Sequence, residues 1–165
     1  MVPVISKRTF GGIFVLVAVA PLVAGAATRE LKAADIAGQW SGASYAEKSS
    51  GILTLDIVAC GTGWCGIKVE AGEKCGGTAL KLNSSVVEEN NAQFQGTLSL
   101  APRTERYTIH ATIFPPEDGK PLEMRITGNT GGEYRAFSRS FPFEAAVARL
   151  KDAVCHAPAT VSSLP

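Results

Sequence analysis

Apolar and polar residues alternate along most of this chain beyond Gly38. Leu53, Leu55 and Ile57 share one parity while Thr54 and Asp56 take the other, the two-residue period of a strand with one buried face. Tyr107, Ile109, Ala111 and Ile113 alternate with Thr108, His110 and Thr112, and Leu122, Met124 and Ile126 alternate with Glu123, Arg125 and Thr127. Phe94, Leu98 and Leu100 repeat the pattern, with Gly96 between them as a bend or bulge. Segments of this kind at 39–46, 51–59, 65–70, 78–82, 93–101, 106–114, 122–128 and 133–141 predict about eight short strands. Clusters of turn formers separate them, among them Ala46-Glu47-Lys48-Ser49-Ser50-Gly51, Glu88-Glu89-Asn90-Asn91, Pro115-Pro116-Glu117-Asp118-Gly119 and Gly128-Asn129-Thr130-Gly131-Gly132. Sequential hairpins on short turns predict an all-β, antiparallel, up-and-down barrel.

The pattern changes after Phe143. Phe143, Ala146, Val147, Leu150 and Val154 recur at steps of three and four, which predicts a one-faced helix over 143–154. Pro142 suits its start, and Glu144 near the beginning with Arg149 and Lys151 near the end suit its dipole. The expected organisation is therefore a lead-in at 27–37, a barrel domain with its C-terminal helix at 38–155, and a flexible tail at 156–165.

The first 26 residues read as an export signal. Lys7 and Arg8 precede the apolar run Ile13-Phe14-Val15-Leu16-Val17-Ala18-Val19-Ala20, and Ala24-Gly25-Ala26 supplies the small residues of a cleavage site after Ala26. The rival is an uncleaved anchor. The stretch 10–27 is marginal in length for a membrane span and is interrupted by glycine and Pro21. Cleavage leaves no stable membrane anchor and predicts a periplasmic or secreted product.

Composition narrows the class further. The chain has 165 residues, 45% hydrophobic and 19% charged, which is a globular composition for one domain. Sixteen basic residues stand against 15 acidic ones, so no electrostatic footprint of a nucleic-acid binder is present. All four cysteines, Cys60, Cys65, Cys75 and Cys155, lie in the exported part, and an even number in an oxidising compartment favours two disulfides. Of three pairings, Cys60–Cys65 with Cys75–Cys155 is preferred. The first would close the tight turn Gly61-Thr62-Gly63-Trp64, and the second would tie the C-terminal segment to the barrel across a long loop. A Cys-x4-Cys-x9-Cys series with a distant fourth cysteine is a poor zinc spacing.

Two motifs stand out: Gly38-Gln39-Trp40 at the head of the first strand, and Cys60-Gly61-Thr62-Gly63-Trp64-Cys65-Gly66-Ile67 around a glycine-rich hairpin. The first resembles the Gly-x-Trp element of lipocalin-like (calycin) barrels. Together they resemble a small exported bacterial family of unknown function with such a barrel, over residues 38 to 69. Cys75 and Cys155 depart from the simplest form of that family's pattern. The resemblance implies a periplasmic address, a barrel plugged by Trp40 beside Gly38, and a late-strand arginine stacked on the tryptophan, with Arg139 or Arg135 in that position. It supplies no catalytic residue.

Candidate chemistry is sparse. His110 falls on a polar strand face and His156 follows Cys155, and neither has a sequence-evident partner for acid–base work. There is no Gly-x-Ser-x-Gly elbow, no His-Glu-x-x-His and no phosphate loop, and Cys-x4-Cys is not the redox spacing. Neither an enzyme nor a cofactor is expected. Trp64 is either an exposed recognition residue or a cover for the disulfide. The expected function is non-enzymatic binding of a small apolar or amphipathic ligand in the barrel. The alternative is a filled barrel that serves the envelope structurally, or by binding another protein or the cell wall. Eight strands permit either.

Overall fold

The computed structural model describes residues 30–47, 49–101, 106–116, 119–131, 135–136 and 141–157. Eight strands follow one another: β1 (Gly38–Ala46), β2 (Ser49–Cys60), β3 (Gly63–Glu70), β4 (Lys74–Glu88), β5 (Asn91–Leu98), β6 (Tyr107–Phe114), β7 (Glu123–Asn129) and β8 (Phe143–Lys151). Each pairs antiparallel with its neighbour in sequence, and β8 pairs with β1, so the sheet closes into the expected up-and-down barrel. A 3-10 turn, Ala33–Ile36, precedes β1.

Alternation explains why these segments become barrel wall. Leu53, Leu55 and Ile57 of β2 point inward, as do Ala92, Phe94 and Leu98 of β5 and Tyr107, Ile109, Ala111 and Ile113 of β6. The inner faces meet in one continuous core, with Tyr107 and Phe143 tilted against each other at 5.4 Å between ring centroids. Gly96 of β5 is a point of close approach: a side chain there would collide with the Lys81 backbone of β4. The bulge lies on β4, between Leu82 and Ser84, opposite that glycine.

The C-terminal helix is the main correction. Residues 143–151 form β8, which fills the gap between β7 and β1 and hydrogen-bonds to both. The stretch carries two periods at once. Phe143, Ala145 and Val147 alternate inward, whereas Leu150 and Val154, which a helix would bury, are 60% and 52% exposed. Alanine-rich composition favours a helix locally, but two unpaired strand edges on either side outweigh a propensity of a few tenths of a kcal/mol per residue. Of the strand expected at 133–141, Arg135, Ala136 and Phe141 lie in no strand, and the rest of that segment falls outside the described residues. So does the tail from 158, whereas His156 and Ala157 belong to the described C-terminal segment.

Strand lengths are uneven where it matters most. β3 has 8 residues and sits between the 12 of β2 and the 15 of β4. Its ladder with β4 stops at Trp64 opposite Leu82, while β4 and β5 stay paired as far as Glu88 opposite Asn91. The β4–β5 hairpin therefore projects past β3.

Candidate functional site

Three features stand out, and the first is the tryptophan plug. Trp40 is fully buried, and its indole Nε1–H donates to the Ile36 carbonyl at 2.7 Å. The 3-10 turn is thus stapled across the barrel end, with Leu31 and Ile36 buried beside Trp40. Gly38 has φ +138°, and a side chain on it would lie 2.6 Å from Arg149 Nε. The arginine at this end is therefore Arg149, from the true last strand, directly opposite Trp40 in register. Its Nε donates to the Ala37 carbonyl at 3.0 Å, and its guanidinium pairs with Asp152 at 2.7 Å. Arg135, one of the two expected partners, is exposed, and Arg139 lies outside the described residues. The misplacement follows directly from reading β8 as a helix, which moved the last strand forward by ten residues.

The second feature is the Cys60–Cys65 hairpin. The disulfide joins the end of β2 to β3, and the other bond, Cys75–Cys155, matches the preferred pairing. Trp64 is half-buried and packs against the core. It also lines an open cleft of about 560 Å³ with Thr62, Lys81, Leu82, Asn83 and Ala157. Its side chain is thus divided between the core and the wall of that cleft.

The third feature was not legible as a site. Asp56 alternates outward from the core, yet it is fully buried. Its Oδ2 accepts backbone hydrogen bonds from Val154 at 2.8 Å and Cys155 at 2.7 Å, while Oδ1 has no hydrogen-bond partner among the described residues. The segment after β8 therefore crosses the outside of the wall like a strap. It is held by this carboxylate, by the Cys75 bond, and by an ion pair between Lys151 and Glu73 of the β3–β4 turn. Outward residues Gln39 and Ile67, the register partners of Asp56 on either side, are buried as well. A strand aspartate flanked by β-branched and aliphatic residues is unusual, and that was its only sequence signal.

His110 lies on the outer face of β6, opposite Gln95 of β5 and Thr127 of β7. Partial burial pushes its pKa below the ordinary histidine value. The folded chain then holds this proton more weakly than the unfolded chain, so protonation favours unfolding. The stabilisation is complete above the unfolded value of about 6.5 and falls away as pH drops through it. Thermal midpoints measured from about pH 7.5 to 5.5 should fall less in His110→Gln than in the wild type.

Among the described residues, no group of three or more histidine, cysteine, aspartate or glutamate side chains is placed to hold a metal ion, and no helix is long and apolar enough to cross a membrane. No family model, curated protein or solved structure matches this chain.

Proposed function

We propose that this chain is an exported, non-enzymatic protein of the cell envelope, in which a filled barrel serves as a rigid scaffold and the outer surface binds another protein. The carrying observation is the interior. Trp40, Phe94, Phe143, Leu98, Ile109 and Met124 are each at most 1% exposed and occupy the space a carried ligand would need. Open clefts of about 200 to 590 Å³ lie instead on the outer wall or beside turns. Of these, the cleft beside Trp64 joins an aromatic face to the polar groups of Lys81, Asn83 and Thr62, the mixture that suits a protein contact. Export is supported by the signal layout at 1–26, and two disulfides are compatible with an oxidising compartment.

Native mass spectrometry of the mature chain, purified without detergent, tests the scaffold reading. The expected mass is that of the bare chain with two disulfides. A small-molecule adduct that disappears on denaturation would return the barrel to ligand carriage and overturn the proposal. A photo-crosslinking residue at Thr62 should capture one discrete protein in the native envelope. Equal capture from Ile52, far along the wall, would count against a specific site.

A further inference from the structure

β4 carries a bare strand edge, and we infer that it pairs with the same edge of a second copy of this chain. Beyond Leu82 the strand is hydrogen-bonded to β5 alone, and among the described residues nothing pairs with its other side from Ser84 to Glu88. Every residue from Asn83 to Asn90 is exposed, with Val86 at 59% and Val87 at 44%. Natural sheets blunt such edges with lysine, proline or an inward charge. Ser84-Ser85-Val86-Val87 has none of these, and the one nearby bulge lies ahead of the run, which stays in register with β5 through to Glu88.

The geometry limits the register. Gly63, at the head of β3, lies against Leu82 and Asn83, so an incoming strand has room only along the stretch Ser84–Glu88. Two copies related by a two-fold axis pair antiparallel about the middle of that stretch, which is Val86. Val86 then meets Val86 of the partner subunit. On the same outer face, Ser84 meets the partner subunit's Glu88, so a hydroxyl donates to a carboxylate at each side of the apolar centre. Glu88 is already oriented by Asn91 Nδ2 at 3.1 Å and Gln93 Nε2 at 3.2 Å, and a carboxylate can accept further donors. The edge is thus self-complementary in its backbone, in its apolar centre and in the hydroxyl and carboxylate that flank it, as a closed two-fold interface requires. The other claimant is the chain's own tail, 158–165, because Ala157 lines the neighbouring cleft.

Sedimentation velocity over a concentration series, using the mature chain, should show a reversible dimer. Val86→Lys should weaken it by about tenfold or more, since like charges would face each other across the axis, with both disulfides and the circular dichroism unchanged. Val86→Cys should form a covalent dimer on mild oxidation, whereas Ser84→Cys should not, because Ser84 faces Glu88 and lies four residues from its own copy. A monomer at every concentration would overturn the inference, as would a dimer indifferent to Val86→Lys. Dimerisation seen only after residues 158–165 are removed would assign the edge to the tail and overturn it too. None of these outcomes depends on what the outer surface binds elsewhere.

Discussion

Replacing Cys75 and Cys155 together by serine is expected to lower the free energy of unfolding by about 4.5 kcal/mol. The two cysteines are 80 residues apart, and a cross-link over that distance removes a large loop-closure entropy from the unfolded chain. An ordinary domain has roughly 5–15 kcal/mol of stability in all, so this one bond is a large share. The folded state weakens as well. Without the bond the strap is held by two backbone hydrogen bonds to Asp56 and by exposed ion pairs, which are worth little. The Cys60–Cys65 bond closes a separation of only 5 residues, and the same account gives it about 2 kcal/mol. Urea denaturation of the two double-serine variants checks the ratio. Equal losses would mean that loop closure is not what makes the long-range bond matter.

Trp40→Ala should cost about 3–5 kcal/mol, the usual range for removing a large aromatic from a packed interior. Trp40 is completely buried, and its truncation would also strip the Ile36 carbonyl of its donor and free the 3-10 turn from the barrel end. Trp40→Phe separates the two effects. It keeps most of the ring and loses the hydrogen bond, which should cost about 1–3 kcal/mol if the Ile36 carbonyl is left buried and unpaired. Because the chain has only two tryptophans, the phenylalanine variant leaves Trp64 as the sole indole fluorophore. Unfolding monitored by emission then reports on the Cys60–Cys65 hairpin, and its midpoint should coincide with that from far-ultraviolet circular dichroism. A loss below about 1 kcal/mol for Trp40→Ala would show that the barrel end tolerates a cavity there.

The wall of this barrel was legible because its strands bury one face only. Leu53, Leu55 and Ile57, or Tyr107, Ile109, Ala111 and Ile113, have no alternative reading once their period is two. β8 was not, since Phe143, Ala145 and Val147 fit a period of two while Phe143, Ala146, Val147 and Leu150 fit a helix, and the decision rests on edges supplied by β1 and β7. That single ambiguity also displaced the arginine beside the plug from Arg149 to Arg139 or Arg135. β4 runs well past the 78–82 expected because Asn83, Ser84 and Ser85 look like turn formers; a partner strand in β5 holds them extended. Asp56 looked like any wetted strand position. Alternation shows which way a side chain points but not what lies over the outer face, and here a segment 98 residues away covers it.

Closure between β1 and β8 sets the order in which this barrel can be completed. Ala37 and Arg149 are 112 residues apart, and every hairpin between them can form before they meet. A nascent chain emerging from its N-terminus therefore builds an open, curled sheet whose first strand waits with one side unsatisfied until the last is released. Contacts this distant in sequence make folding slow relative to helical chains of similar size. The plug behaves differently, since Ile36 and Trp40 are neighbours and can meet at once. The contact inside the plug is thus local, while the seam along the side joins the two ends of the barrel sequence.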